Sequence, residues 1–436
     1  VDIKAFRGLR FDSEVVGDVG DCITPPYDVI DAEMQQKLYE KSTFNVVRII
    51  KGKTTPADTP KDNQYTRAGQ LLNDWIRTGA LKPDTQDCIY SYFQDFQIGQ
   101  SRLCRSSFIA LGKLEEFGSK VRPHEKTLDG PRADRLRLMR AKAAQFGQIF
   151  MLYDDPEKIA EVVIADSAAG PALVDCTGTD GIRHRLFAID KTDDIDVIIK
   201  MMSSREAVIA DGHHRYETAL NYYKETGNPA ALYRMMTFVN MHNEGLVVLA
   251  THRLVANLAE FDIDKFIRQI EGIFQITRYP FADKDDKARA KEKMFNHLRR
   301  DFESGKNALG IYAGTNVFYA VLLKEPAAMD EVGGQLSRAA KKLDVNILHK
   351  LILEKVLGIG EKQLAGQHNI EYIKDIGDAI DKSIAKVDTG EGQVVFFLNP
   401  PKVEQVKAVA EAGERMPQKS TFFYPKIYTG LVINKL

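Results

Sequence analysis

Several signatures of common chemistry are missing from this 436-residue chain. It holds no G-x-G-x-x-G fingerprint, no H-E-x-x-H helix and no G-x-S-x-G elbow. Those absences remove the usual dehydrogenase, zinc-protease and α/β-hydrolase readings. Cysteine is scarce: Cys22, Cys88, Cys104 and Cys176 are widely scattered, with no C-x-x-C pair. Neither a disulfide framework nor a zinc knuckle is suggested. No sign of charge prevails, with 60 Lys and Arg against 61 Asp and Glu. That balance weighs against a general nucleic-acid or membrane-surface binder. No apolar run is long enough to span a bilayer. The first residues, VDIKAFRGLR, lack the basic-then-apolar order of a secretory signal. The expectation is a reduced, cytoplasmic, soluble protein.

What is present is ordinary core material, 44% hydrophobic, in a chain long enough for two or three domains. The pattern predicts a strand in IKAFRGLRFD, then a helix from about Ala32 with Asp31 as N-cap. FNVVRIIKG reads as a strand, and QYTRAGQLLNDWIRTGAL as a strongly periodic helix. DCIYSYFQDFQIG and LCRSSFIALGKLEEF alternate like a hairpin. GIRHRLFAID reads as a strand and IDVIIKMMSSR as a helix. YRMMTFVNMHNEGLVVLATHRLV suggests two strands joined by an HNEG turn. From about Asn257 charged helices alternate with single strands, so a boundary is placed between residues 256 and 257. The class is mixed α/β (α+β), with a second α/β domain at the C-terminal end.

The densest polar cluster is ADGHHRYETAL, residues 210–220. EAVIADG before it reads as a strand, and RYETALNYYKETG after it as a helix ending at Gly227. The cluster therefore sits at a helix N-terminus, where unpaired N–H groups and partial positive charge suit an anion. Asp211 is expected to cap the helix, Gly212 to let the backbone approach a ligand, and Arg215 to grip phosphate oxygens. His213 and His214 point different ways on a helix, so they do not form a metal pair. One is expected to face a phosphate. The plain alternative is a capped helix with surface histidines.

Four other clusters stand out. In MPQKSTFFYPK, Lys419, Ser420 and Thr421 resemble the tail of a phosphate loop, but Gln418 takes the place of its second glycine and a strand follows. The P-loop label fails, and an anion-binding lysine or a polar turn remains. RPHEKTLDGPRADR gathers His124, Glu125, Lys126, Asp129, Arg132, Asp134 and Arg135 in one expected loop. In TPPYDVI, two prolines stiffen the presentation of Tyr27 and Asp28, and Asp28 suits a base or a Mg²⁺ ligand. THRLV, with His252 and Arg253, reads as a structural strand end.

On these residues a resemblance appears. DGHHRYETA is similar to the second signature box of the ParB/sulfiredoxin superfamily, and ITPPYDVID resembles its Pro-Tyr box. The set PPYDVI, HEKT, DGHHR, THRLV and MPQKSTFFYPK resembles a prokaryotic family of about this length, described only as a domain of unknown function. The resemblance implies a ParB/sulfiredoxin-like nucleotide-binding core. Free-serine kinases of that superfamily carry a similar Asp-Gly-His-His-Arg stretch, matched here by Asp211, Gly212, His213, His214 and Arg215. Sulfiredoxins place a cysteine where His213 stands, which excludes their chemistry. ParB proteins bring DNA-binding segments that this sequence does not display.

The expectation is a nucleotide-dependent kinase acting on free L-serine or a similar hydroxylated metabolite. ATP or ADP would bind near Gly212, His214 and Arg215, with Mg²⁺ at Asp28 or Asp211. Asp28 or Glu125 would take the acceptor proton, and Lys419 would approach the Gly212 helix. Residues 1–256 would form the nucleotide-binding domain, and 257–436 would close the site. Nucleic acid is not expected as a partner, and a homodimer is allowed. A nucleotide-gated, ParB-like switch without catalysis and a phosphatase acting on phosphoserine-like substrates are the alternatives.

Overall fold

The computed structural model describes residues 1–125, 130–366 and 368–436, with no side chain described at 130–132, 361, 362 and 365. The chain divides into two compact units. The first holds residues 1–123, 127–247 and 423–436; the second holds 124–126 and 248–422. The division thus follows residue 247 rather than 256, and the last residues return to the first unit. Composition changes near Asn257, but strand pairing changes earlier: Thr251–Val255 already pairs with strands of the second unit. Among the described residues no helix is long and apolar enough to cross a membrane.

The first unit is built on a mixed sheet. Its strands are β1 (Ile3–Lys4), β2 (Ile89–Ile98), β3 (Ser101–Lys113), β4 (Val121–Pro123) and β5 (Ile149–Tyr153). They continue with β6 (Val174–Thr177), β7 (Arg183–Ile189), β8 (Ala207–Asp211) and β9 (Tyr233–Asn240). The order is β4-β8-β5-β9-β3-β2-β7-β6, with β1 against β3. The pairs β8–β4 and β9–β5 are parallel, while β2–β3 is the expected antiparallel hairpin. Every residue of β5 is buried, as in a strand covered on both faces. Phe108 and Phe238 stack at 5.0 Å in the core beside it.

Helices follow the sequence cues closely. Asp31 caps Ala32–Lys41 by accepting from the N–H of Met34 at 2.8 Å. Asn63 forms a capping box for Gln64–Arg77, whose Leu72 and Trp75 are buried. The helix Gly130–Lys142 packs on both Gln64–Arg77 and His213–Thr226. The opening segment forms two short strands, Ile3–Lys4 and Leu9–Phe11, in separate sheets.

One expectation fails. FNVVRIIKG contains a helical turn, Val47–Ile50. Asn45 decides it: its side chain accepts from the N–H of Val47 at 2.9 Å and donates to the carbonyls of Asp21 and Ile23. That anchoring overrides the β preference of the valines and isoleucines. YRMMTFVNMHNEGLVVLATHRLV holds the expected strands on either side of the HNEG turn, β9 and Val247–Leu249, and a further strand, Thr251–Val255, that belongs to the second sheet.

The second unit carries a wholly antiparallel sheet: β10 (Thr251–Val255), β11 (Phe274–Pro280), β12 (Ala308–Tyr312), β13 (Val317–Leu323), β14 (Ile370–Lys374) and β15 (Val394–Phe397). The order is β11-β13-β12-β15-β10-β14. Leu254, Met294, Leu298, Phe318 and Phe397 form its core, with Met294 and Leu298 supplied by the helix Lys284–Glu303.

Candidate functional site

Strand β8 ends at Asp211 with an irregular register against β5, and the helix His213–Thr226 begins two residues later. The hinge between them is Gly212, at φ +93°, a conformation that other residues rarely adopt. A Cβ at Gly212 would also meet the Arg215 guanidinium at 3.0 Å. Glycine is therefore required twice here, by backbone twist and by the arginine folded over it. The N-cap position is Gly212, not Asp211. Asp211 instead accepts from Arg215 at 3.1 Å and lies 3.5 Å from the Lys426 ammonium. Arg215 also donates to the carbonyl of Gln148, so its guanidinium is fixed in place by two protein acceptors. His213 is buried and His214 half-buried in the first turn.

Arg215 forms one wall of a small cavity of about 50 Å³ within the first unit. Arg135 and Lys142 reach it from the helix Gly130–Lys142, and Arg234 from β9. Among the described residues four cations line it and no carboxylate does. Arg234 is 3% exposed, and one of its nitrogens donates to the carbonyl of Gly147. Its Nε and other Nη have no hydrogen-bond partner, nor has the buried hydroxyl of Thr218 in the same wall. Burial, and then the Arg215 charge, lower the Arg234 pKa to about 9. Burial, Arg234 and Arg135 together hold the Lys142 ammonium well below the usual lysine range. Like charges gathered in a dry pocket repel, and unsatisfied buried donors are costly. An anion relieves both.

Tyr27 joins this cavity to a wider one. Its ring lies 4.0 Å under the Arg135 guanidinium. The wider cavity, about 530 Å³, shares Tyr27 and Arg135 and adds Gln35, Lys51, Gln64 and Asp134. Asp134 accepts from Arg135 and from the Tyr65 hydroxyl, both at 2.7 Å. Asp28 is exposed on the turn Tyr27–Val29 and lines neither cavity.

The remaining candidates belong to the second unit. The expected single loop is divided: Asp134 and Arg135 lie on a helix of the first unit, while His124 and Glu125 belong to the second. His124 is buried and shares a hydrogen bond with the Thr421 hydroxyl at 2.8 Å. Glu125 accepts from the backbone N–H of Lys419 at 3.0 Å, and Arg253 donates to the Lys419 carbonyl at 3.0 Å. These two grips hold Lys419 at φ +56°, an uncommon conformation for lysine. Ser420 is buried and donates to the carbonyl of Pro417. His252 and Arg253 are each 1% exposed. Lys126 and Asp129 lie outside the described residues, as does the side chain of Arg132.

Residues 3–346 match the family described as "Protein of unknown function (DUF1015)". The chain belongs to that family. Among curated proteins, none matches it. Solved structures to which it is similar include a conserved hypothetical protein from Pyrococcus furiosus, 17% identical over 71% of this chain and 89% of that one, with a TM-score of 0.33. A free serine kinase in complex with AMP is 14% identical over 72% and 89%, with a TM-score of 0.33. SbnI with C-terminal truncation, from Staphylococcus aureus, is 9% identical over 75% and 87%, with a TM-score of 0.34. At these scores none of them assigns an activity to this family member.

The family match spans all the cations of the small cavity. Sequence reasoning found Arg215, Arg135 and Tyr27 but missed Lys142, Arg234 and Lys426. Arg234 had one readable signal, a charge inside the apolar run of β9. Among the described residues no three His, Cys, Asp or Glu side chains gather to hold a metal. Asp211 faces two cations. The cations of the small cavity suit an anion, and Asp211, engaged by Arg215 and Lys426, is not set as the expected Mg²⁺ ligand.

Proposed function

We propose that the first unit binds the phosphates of a nucleotide, ATP or ADP, in the cationic cavity and transfers phosphate to a small hydroxylated metabolite. The observation that supports this reading is the set Arg135, Lys142, Arg215 and Arg234, without a carboxylate among the described residues of the same wall. Phosphoryl transfer needs mainly positioning and neutralisation of charge. Arg234 would donate through its two unpartnered nitrogens, and Lys142 would recover its full charge beside a phosphate. Arg215, fixed by Asp211 and Gln148, would need little reorganisation. The small cavity suits a phosphate group, and the wider one beside Tyr27 has room for the rest of a nucleotide. Asp28, on the turn that presents Tyr27, would accept the acceptor's proton. Free L-serine is the acceptor implied by the Asp211–Arg215 motif and its ParB/sulfiredoxin resemblance. No step is assigned to magnesium.

Phosphorus NMR of the full chain with ATP or ADP and a pool of amino acids and sugars tests the reading. Appearance of a phosphomonoester, dependent on nucleotide and strongest with L-serine, is expected. Nucleotide binding without transfer would favour a switch. Release of phosphate from phosphoserine without nucleotide would favour a phosphatase.

A further inference from the structure

The second unit has a cavity of its own, about 270 Å³, just below the range of drug-sized pockets. Arg253 on β10 lines it. Its two terminal nitrogens donate to the carbonyls of Thr251 and Lys419. Its Nε has no hydrogen-bond partner, although the side chain is 1% exposed. A buried charged donor left unpaired is expensive. The same cavity is lined by Asp344, whose carboxyl accepts from the amides of Asn307 at 2.6 Å and Asn399 at 3.4 Å. Burial pushes the Asp344 pKa up to about 7. Lys306, Lys342 and Lys402 stand exposed at the rim.

Inside a rim of exposed lysines the cavity therefore offers one buried cation and one half-buried acid. The rim lysines attract any anion, so Asp344 is the group that disfavours a second negative charge on the ligand once it ionises. A carboxylate satisfies Arg253, and a donor on the same small molecule satisfies Asp344. We propose that this cavity is a second ligand site, taking a small carboxylate that also carries a hydroxyl or amino donor, with its carboxylate on Arg253 and the donor on Asp344. The site stands apart from the phosphate reading and uses none of its residues.

The test titrates the full chain with glycine, L-serine, D-glycerate, acetate and inorganic phosphate, by saturation-transfer NMR and calorimetry. At least one donor-bearing carboxylate is expected to bind at least tenfold more tightly than acetate. Asp344→Asn, close in shape, is expected to remove that margin, and Arg253→Gln to abolish binding. Arg215→Ala is expected to leave it intact. The proposal is overturned if no member binds, if acetate or phosphate binds as well as the best one, or if Asp344→Asn keeps the margin. Loss of carboxylate binding in Arg215→Ala would move the site to the first unit and overturn it as well. Should Arg253→Gln not fold, Asp344→Asn decides alone.

Discussion

Arg234 and Arg253 are nearly twins by burial, at 3% and 1% exposure. Each sits on a sheet strand and gives part of its guanidinium to backbone carbonyl oxygen, Arg234 keeping two nitrogens without partners and Arg253 one. Burial lowers both pKa values, to about 9 and about 10. Their neighbours differ. Arg234 shares its cavity with Arg135, Lys142 and Arg215 and, among the described residues, no carboxylate, whereas Arg253 shares its own with the carboxyl of Asp344 inside a rim of three exposed lysines, Lys306, Lys342 and Lys402. A cluster of cations needs several negative charges to settle it, whereas a cation near an acid suits one charge and a donor. Ligand class is therefore set by what stands around a buried arginine, not by the arginine.

Arg234→Met probes that contrast hardest. It should weaken ADP binding by about 1.5–3 kcal/mol, roughly tenfold to 150-fold, the worth of hydrogen bonds to a charged group. Arg253→Met should leave ADP affinity alone. Equal losses in the two variants, measured by calorimetry, would erase the distinction.

Asp344→Asn shows its effect in stability against pH. The folded state keeps the Asp344 proton up to about pH 7, while an unfolded chain releases it near 3.8. Its stabilising contribution is full below 3.8 and is lost as pH rises through 7. Removing the titration should raise the unfolding free energy by on the order of 4 kcal/mol at pH 8 relative to pH 4, at about 1.36 kcal/mol per pKa unit. A difference independent of pH would contradict the buried acid.

Gly212→Ala should cost about 1–2 kcal/mol from its left-handed backbone, and displace Arg215 as well. Thermal melts with and without ADP separate the two effects, and the loss should be larger with ADP. The smallest change is expected from Lys142→Met. Replacing an amine whose charge burial and the neighbouring arginines disfavour with an apolar side chain should stabilise the ligand-free protein by about 1 kcal/mol while weakening ADP binding. A destabilised ligand-free variant would mean that the cluster carries no stored repulsion.

The sequence made the Asp211–Gly227 junction legible because strand, glycine and helix each left a local signature. Asp31 and Asn63 announced their helices for the same reason. Val47–Ile50 was misread because its deciding contacts, from Asn45 to Asp21 and Ile23, lie across a loop. Arg234 and Lys142 were missed because only the sheet order and the packing of the helix Gly130–Lys142 bring them to Arg215. The division of His124 and Glu125 from Arg135 is likewise a tertiary fact that spacing along the chain hides.

A crystal structure of the full chain with ADP tests the central claim most directly. A phosphate oxygen within about 3.2 Å of Arg234 Nε or its unpartnered Nη is the expected result. ADP bound elsewhere, with neither nitrogen touching a phosphate, would contradict the account.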